Sequence, residues 1–337
     1  DTVSGDDVIN SIEHGQAQII TGSSSGLAAG SALTVVINGV TYGATVLADG
    51  TWNVGVPSAD VRNWPAGTVD ITVSGASSAG NPVTITHPVT VDLTPTAISV
   101  NTIATDDVIN AAEKGVDLTL SGTTANVEAG QTVTVTFGGK NYTASVAANG
   151  SWSVTVPAAD LAALPPGSAS AQASVTNLNG NSASATHNYS VDSSAPTLII
   201  NTVTSDNIVN ASEASAGVTV SGSTTAEAGQ IVTVTLNNPA AQTYQATVLA
   251  DGTWSITIPA TDLAGLADGR YPLIATVNDK AGNPASTTHN LVVDLTVPVL
   301  TINTIAGDDI LNAVEHGLAL VITGSSTGGE AGDVVTV

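Results

Sequence analysis

Carboxylate side chains that could bind a cation recur in this sequence at intervals of about 100 residues. The motif Asp-Asp-Val-Ile-Asn, followed three residues later by Glu, begins at Asp6 and at Asp106, and altered copies begin at Asp206 and Asp308. Val-Asp pairs ending at Asp92, Asp192 and Asp294 keep the same spacing. Carboxylate oxygens are the ligands that hard cations prefer. The pattern therefore predicts cation binding at a position that returns in every repeat.

The charge balance limits the class of partner. The 337 residues include 28 acidic and 5 basic side chains, for a net charge of -23, although only 10% of residues are charged. Phosphate binding needs clustered Lys and Arg, and here the basic residues are scattered singly, so nucleic acid and anionic membranes are not expected partners. No cysteine is present, which excludes disulfides and thiolate metal sites. No apolar run long enough to span a membrane and no secretory signal is visible.

Other recurring side chains favour structural roles. Trp52, Trp152 and Trp254 alternate in phase with inward Val or Ile, so we interpret them as core anchors rather than sugar platforms, and Trp64 as a plug at the end of the first repeat. The three histidines that precede the Val-Asp pairs are expected to pack at a strand or edge rather than bind metal: His87, His187 and His289. No Ser, His and Asp set recurs in a triad arrangement, so no enzyme is predicted.

A period of about 100 residues is close to the commonest domain size, so each repeat is expected to fold as a domain. We predict domains at residues 1–96, where the first strand is missing, 97–197 and 198–298, with the beginning of a fourth repeat at 299–337. Both ends fall inside a repeat, which is typical of a window from a longer array.

Alternating apolar and polar residues, separated by Gly and Asn turns, predict seven strands in the second repeat. They are placed at 97–103, 116–123, 131–137, 141–147, 151–156, 168–176 and 184–191, with one helical turn between Pro157 and Pro166. Seven short strands in such a length predict an all-β fold of tandem, seven-stranded antiparallel immunoglobulin-like sandwiches in an extended array.

Strand reversal assigns each loop to one end of a sandwich, which places the acids at the junctions between repeats. The first junction is predicted to gather Asp6, Asp7, Glu13, Asp60, Asp92 and Glu128. The second is predicted to gather Asp106, Asp107, Glu113, Asp160, Asp192, Glu227 and Asp279. The third is predicted to gather Asp206, Glu213, Asp262, Asp294 and Glu330.

Calcium is the favoured ion, because it accepts about six to eight oxygen ligands with tolerant geometry, whereas magnesium needs a rigid octahedron. The alternative is that Asp and Asn only cap turns and keep a sheet protein soluble. Asp60, Asp160 and Asp262 are ambiguous, since each could also cap the short helical turn.

The chain resembles the bacterial immunoglobulin-like repeats of giant, type I-secreted biofilm-associated adhesins. The resemblance is carried by Val-Asp followed by Thr and Pro (91–95 and 293–298), by the Asp-Asp-Val-Ile-Asn motif, by Ala-Asp-Gly-Thr-Trp and by Asp-Lys-Ala-Gly-Asn (279–283). It implies a surface fibre stiffened by interdomain calcium, and secretion without a cleaved N-terminal signal. Asn207 in place of Asp, Ala28-Ala29 in place of Glu128, and Ser77 in place of Asp279 depart from the pattern, so the number of calcium ions is expected to differ between junctions.

The leading hypothesis is therefore a non-enzymatic, calcium-rigidified spacer of an extracellular bacterial adhesin, in contact with calcium and with neighbouring repeats. Two alternatives remain. The domains could themselves bind glycan, or their edge strands could pair between chains to form biofilm matrix.

Overall fold

A computed structural model describes residues 1–329 and 334–337, and nearly all of its regular structure is β-strand. This confirms the all-β, immunoglobulin-like fold predicted from the alternating pattern. The chain divides into two compact units, Asp1–Asp192 and Ser193–Val337. The repeat boundaries after residues 96, 197 and 298 remain a prediction. No helix in the described part of the chain is long and apolar enough to cross a membrane.

The first unit begins with a repeat of two sheets. A five-stranded sheet has the order β1-β7-β6-β3-β4, and β2 pairs with β5. The elements are β1 (Val8–Ile9), β2 (Gln18–Ser23), β3 (Ala32–Ile37), β4 (Val40–Thr45), β5 (Thr51–Val56), α1 (Ser58–Val61), β6 (Gly67–Ala76) and β7 (Pro82–Val91).

The second repeat adds one strand to this arrangement. Its sheets have the orders β13-β10-β8 and β12-β11-β14-β15-β9. The elements are β8 (Ala97–Ile98), β9 (Val108–Ile109), β10 (Leu118–Ala125), β11 (Thr132–Phe137), β12 (Lys140–Ser145), β13 (Ser151–Val156), α2 (Ala158–Ala162), β14 (Gly167–Thr176) and β15 (Ser182–Val191).

The second unit repeats the same topology, with sheets β16-β18-β21 and β17-β23-β22-β19-β20. Its elements are β16 (Leu198–Ile200), β17 (Ile208–Asn210), α3 (Ala211–Ala216), β18 (Val218–Thr224), β19 (Ile231–Leu236), β20 (Thr243–Thr247), β21 (Thr253–Ile258), α4 (Ala260–Leu263), β22 (Gly269–Asn278), β23 (Pro284–Asp294), β24 (Val299–Ile302) and β25 (Gly324–Thr327). Short 3-10 helices follow the acidic motif at Glu13–Gly15, Glu113–Gly115 and Glu315–Gly317.

The start of each repeat differs from the sequence-based prediction. A single strand was expected over 97–103, but β8 ends at Ile98 and the chain then crosses to the other sheet. There β9 pairs in parallel with β15, Val108 opposite Ser190. The crossing is a turn in which Ala104, Thr105 and Asp107 have positive φ. Local alternation could not reveal it, because Ile103 and Ile109 on either side of the turn are both buried. The second repeat therefore has eight strands rather than seven.

Each complete sandwich encloses its own hydrophobic core. The three clusters of buried residues lie within residues 3–91, 103–191 and 198–293. Trp52, Trp152 and Trp254 are 7%, 2% and 1% exposed, which confirms their interpretation as core anchors. Trp64 is 2% exposed, and its carbonyl oxygen lies 3.0 Å from His14 Nε2, which donates in the tautomer that carries the proton there. The cores rest on β-branched and small residues that suit a pleated surface.

Glycine is required where β10 passes between its neighbours. Gly122 lies opposite Trp152 in the β10–β13 ladder. A Cβ at this position would lie 1.9 Å from the carbonyl oxygen of Ser99 and 2.7 Å from the Trp152 ring. The Ser99 carbonyl and the Trp152 ring both approach Gly122 so closely that no side chain fits at this position.

We expect Gly122→Ala to destabilise the second repeat by about 2–3 kcal/mol, because the added methyl forces apart a backbone and a packed ring. Hydrogen exchange of the β10 and β13 amides measures this loss separately for the repeat. Gly115→Ala is the matched control, since a Cβ there meets no atom within 4 Å. Equal protection in both variants would contradict the close approach.

Candidate metal sites at the repeat ends

The acidic motif begins with a left-handed turn closed by a side-chain oxygen. The Ile103 N–H donates to Asp107 Oδ1 at 2.8 Å, and Val3 N–H donates to Asp7 Oδ1 at 2.7 Å. Asp107 has φ 65°, in a region that Asn and Asp tolerate better than other side chains. Val203 and Asn207 form the same contact at 3.4 Å. The conformation therefore needs a short side chain with an acceptor oxygen, whether or not it carries charge.

The first acid of the motif accepts a hydrogen bond from the backbone of the residue two positions later. Asp6, Asp106 and Asp206 each accept a hydrogen bond through Oδ1 from the N–H two residues on, at 3.0 Å in all three repeats. This is an Asx turn, in which a side chain replaces a backbone acceptor. It fixes the direction of the carboxylate at the start of β1, β9 and β17.

The Asn and Glu that end the motif cap each other. Asn110 Oδ1 accepts from the N–H groups of Ala112 and Glu113 at 2.9 and 3.0 Å, while Glu113 Oε2 accepts from Asn110 N–H at 3.0 Å. In the third repeat the same bonds open the helix α3 as a reciprocal capping box. Glu13 also accepts from Ser4 Oγ at 2.5 Å. Oε2 of Glu113 and of Glu213 is thus used for local structure, and Glu13 uses both of its oxygens.

A histidine on the last strand meets the turn. His87 Nε2 lies 2.7 Å from Asp7 Oδ1, and His187 Nε2 lies 2.7 Å from Asp107 Oδ1. The hydrogen bond from His87, followed by that from Val3 N–H, lowers the pKa of Asp7. For Asp107 the Ile103 N–H is the larger cause of a lowered pKa, and His187 the second. In the third repeat His289 Nε2 faces Asn207 Oδ1 at the same 2.7 Å.

The acids on the short helices have a tyrosine partner. The hydroxyls of Tyr42, Tyr142 and Tyr244 donate to Oδ2 of Asp60, Asp160 and Asp262 at 2.8, 2.7 and 2.7 Å. Burial, and then the neighbouring carboxylate, raises the pKa of Tyr42 and of Tyr142 to about 12. Lys140 also pairs with Asp160 and is the main cause of its lowered pKa. The three tyrosines recur with the period of the sequence, but no local pattern predicts their pairing with the acids.

The first junction lies inside the first unit and is bridged by amides. Asn179 Nδ2 donates to Asp92 Oδ2 at 2.6 Å, and Asn181 Nδ2 donates to the Asp92 carbonyl at 3.0 Å. Ser11 N–H and Oγ donate to Asn181 Oδ1 at 2.8 and 2.6 Å. The pKa of Asp92 is lowered, first by Thr94 and then by Asn179. The sequence had singled out Asp92 but neither asparagine.

Two glutamates predicted as ligands brace the loop between the last two strands of a repeat. Glu128 Oε2 accepts from Leu178 N–H at 2.9 Å, and Glu227 Oε2 accepts from Lys280 N–H at 2.8 Å. In the same loop of the third repeat, Asp279 is 7% exposed and accepts from Asn283 N–H at 2.7 Å.

The last predicted junction lies in the second unit. Asp294 Oδ1 accepts from Thr296 N–H at 3.1 Å, and Asp268 Oδ1 accepts from Leu295 N–H at 2.6 Å. Asp268 was missed in the sequence; its signal is an acid directly before Gly269, where the earlier repeats have Ala66 and Pro166. Glu330 lies outside the described residues.

At the end of the second repeat, the predicted ligands Asp107 and Asp192 lie at different positions along the last strand. Asp192 N–H donates to the Ile109 carbonyl at 3.0 Å, so Asp192 lies beside the end of β9, whereas Asp107 lies farther back beside His187. Within residues 1–329 and 334–337, no three Asp, Glu or His side chains are placed to hold one metal ion. The calcium ligand set therefore remains a prediction.

We expect Tyr142→Phe to destabilise the second repeat by about 1 kcal/mol, because a hydrogen bond to a partly buried carboxylate is lost. Tyr244→Phe should cost more, since Gln242 occupies the place of Lys140 and Asp262 keeps no lysine partner there. Hydrogen exchange of the β12 and β20 amides, measured at increasing urea concentration, gives the loss of stability in each variant. Two variants as stable as the parent chain would show that the pairs do not contribute.

Lowering the pH should destabilise the first two repeats by protonating the carboxylates of Asp7 and Asp107. A carboxyl with a lowered pKa in the folded chain stabilises it above the unfolded value, near 3.9, and this contribution is lost as pH falls through the lower folded value. Asp107→Asn should therefore reduce the loss of stability of the second repeat between about pH 5 and pH 3. The measurement is exchange protection of the β9 and β15 amides across that range.

The third repeat is the natural control for the acid effect, since it already carries Asn207. The reverse variant, Asn207→Asp, should introduce an acid dependence that this repeat lacks at the turn. If Asp107→Asn and the parent chain lose protection in parallel, the turn carboxylate does not contribute to acid sensitivity.

A family model described as a bacterial Ig-like domain matches residues 200–295. A solved Ca2+-stabilized adhesin, which helps an Antarctic bacterium reach out and bind ice, is 36% identical, with 98% of this chain and 82% of that chain covered and a TM-score of 0.46. A structure from a 1.5-MDa bacterial ice-binding adhesin is 37% identical, with 88% and 96% covered and a TM-score of 0.47.

A single bacterial immunoglobulin-like domain from the M. primoryensis ice-binding adhesin is 38% identical, covers 29% of this chain and 99% of that domain, and has a TM-score of 0.25. No curated protein sequence matches the chain. Sequence identity over most of both chains, together with the matched family model, therefore shows that this chain belongs to the bacterial immunoglobulin-like repeats of large adhesins.

Proposed function

We propose that the chain is a non-catalytic spacer of a bacterial surface adhesin, exposed outside the cell, in which tandem repeats hold a distal binding domain away from the cell surface. The observation that carries the proposal is the return of one oxygen-bearing turn at the same place in every repeat. Its closing bond has the same atoms at Asp7, Asp107 and Asp309, with Asn207 as the neutral variant. Family membership and the separate core of each complete repeat support it.

Calcium is the proposed stiffening ion, and the donor chemistry supports this choice. Every proposed ligand presents oxygen, and backbone N–H groups fix the direction of carboxylates such as Asp106 and Glu113. Fixed carboxylates of one sign favour a bound cation over mutual repulsion. The residues proposed to hold calcium are Asp6, Asp7, Glu13, Asp60, Asp92, Asp106, Asp107, Glu113, Glu128, Asp160, Asp192, Asp206, Glu213, Glu227, Asp262, Asp279, Asp294 and Glu330.

Within that set the local bonds rank the candidates. Asp60, Asp160 and Asp262 are the weaker ones, since each already accepts a tyrosine hydroxyl. Asp106 and Asp206 are stronger, because each accepts its backbone hydrogen bond through Oδ1 and a carboxylate has a second oxygen with acceptor sites of its own. Bound calcium would supply positive charge to an end of each repeat at which acidic side chains outnumber basic ones. Its role would be to neutralise and order, with no part in catalysis.

The glycan-binding alternative would need an exposed aromatic ring on which a sugar could stack. All of the recurring Trp side chains and Trp64 are at most 7% exposed, so none presents a face on which a sugar could stack. A spacer therefore accounts for the observations with fewer assumptions than a lectin-like module.

Calcium should stabilise the full chain. At a calcium concentration about 100 times the Kd, each independent site adds about 2.7 kcal/mol to folding, which corresponds to a rise in Tm of roughly 10–20 °C for a domain of this size. Calorimetry measures the Tm, and small-angle scattering measures the molecular length, both with millimolar calcium and after chelation by EGTA. Magnesium should give a smaller shift, and an unchanged molecular mass excludes self-association as the cause.

Paired variants distinguish specific ligands from general charge. Asp106→Asn combined with Glu113→Gln should lower calcium affinity and reduce the shift in Tm. Asp49→Asn is the matched control, because Asp49 caps an exposed hairpin and the second repeat already has Asn149 there. A Tm and a scattering envelope that do not respond to chelation would overturn the calcium proposal.

A further inference from the structure

The loop between β14 and β15 of the second repeat reaches the end of the first repeat with asparagines as its contacts. Asn181 is 2% exposed, and its amide is used on both sides. Its Oδ1 accepts two hydrogen bonds from Ser11, at 2.8 and 2.6 Å. Its Nδ2 donates to the carbonyl and, at 3.4 Å, to Oδ2 of Asp92. A buried amide in such a position is costly unless these partners stay in place.

Asp92 is satisfied by neutral donors. Its Oδ1 accepts from Thr94 N–H at 2.9 Å, and its Oδ2 accepts from Asn179 Nδ2 at 2.6 Å. Hydrogen bonds to a charged acceptor are stronger than those between neutral groups. The second repeat therefore stabilises the carboxylate at the end of the first repeat through the amide of Asn179, without a bound cation.

The segment between the first two repeats, around Pro95, also contacts the second repeat. Asn126 Nδ2 donates to the Pro95 carbonyl at 2.7 Å. Gly180 has φ +83°, and a Cβ on it would lie 2.6 Å from Asn10 Nδ2 of the first repeat. The Gly180 backbone of the second repeat thus lies against the Asn10 side chain of the first, and the two repeats belong to one compact unit.

Sequence differences between the repeats explain why the side-chain amides of this loop donate to the first repeat rather than within the loop. Asn177 Oδ1 accepts the Asn181 N–H within the loop at 2.8 Å, which leaves Asn181 Nδ2 for Asp92. In the third repeat Asp279 replaces Asn177, and its Oδ2 takes Asn283 Nδ2 at 3.0 Å. Asn179 corresponds to Ala79 and Ala281, so its bond to Asp92 belongs to this loop only.

We propose that Asn179 and Asn181 are the docking determinants of the first junction, and that they hold the first two repeats together with or without a bound cation. The proposal does not rest on calcium binding elsewhere in the chain. It makes the first junction a constitutive joint, set by two neutral side chains that contact one carboxylate and one serine.

The test uses the full chain with one spin label on each of the first two repeats. The chain has no cysteine, so Thr41→Cys and Thr143→Cys, both exposed on edge strands, give specific labelling sites. Pulsed electron paramagnetic resonance then measures the distribution of distances between the two spin labels, in calcium and in EGTA. The expected result for the otherwise native chain is the same narrow distribution in both conditions.

Four variants make the result specific. Asn179→Ala with Asn181→Ala should broaden the distribution about twofold in EGTA. Asn179→Asp with Asn181→Asp removes the donors and adds charge, so it should convert the junction to a calcium-dependent one, narrow in calcium and broad in EGTA. Asn188→Ala, an exposed asparagine of β15 outside the junction, is the matched control and should remain narrow. If the double Ala variant lowers the exchange protection of β14, Asn179→Ala alone keeps the buried Asn181 and should show a smaller broadening.

A native chain that broadens in EGTA would overturn the joint, as would a folded double Ala variant that stays narrow. These outcomes are separate from those of the calcium experiment. A Tm indifferent to calcium overturns the calcium-stiffened spacer and leaves the joint intact, whereas loosening of the labelled native junction in EGTA overturns only the joint.

Discussion

Each repeat depends on one hydrogen bond that closes a left-handed turn, from the N–H of Val3, Ile103 or Val203 to a side-chain oxygen four residues later. The turn moves the chain from one sheet of the sandwich to the other. Once it is formed, β9 can pair in parallel with β15, and its two residues close that edge of the five-stranded sheet. Only Asp and Asn combine tolerance of positive φ with an acceptor at this reach. The residue that shapes the fold is therefore also one that places an oxygen at the repeat end.

The acidic excess has a local explanation before any ion is considered. Most of the recurring acids accept a backbone or hydroxyl hydrogen bond in turns, caps and short helices, and the strands between them remain almost free of charge. Such bonds stabilise the ionised carboxylate. Turn capping and cation binding are thus compatible roles for the same side chains, because a carboxylate has two oxygens and several acceptor sites.

Exchange of Asp for Asn is the main chemical variable between repeats that share a backbone. Asn207 keeps the turn and removes its charge, while Asn177 in place of Asp279 changes the direction in which the neighbouring amide donates. Oxygen and nitrogen occupy the same volume in these side chains, so the substitution leaves packing intact and alters only which groups attract each other. Repeats with the same backbone can in this way differ in the charge and hydrogen bonding of their ends.

The sequence by itself determined the period, the all-β class, the buried Trp anchors and the short helix after β13, because each depends on residues close together in the chain. Strand β13 was predicted to the residue, since its alternation and its Asn-Gly turn are local signals. Only the tertiary structure decided the split of the first strand, the Tyr142–Asp160 pair and the contact of Asn179 with Asp92, which lie 87 positions apart. These contacts arise because the folded sheets and the docked repeats bring distant oxygens and donors within hydrogen-bonding distance, and no periodicity along the chain records that distance.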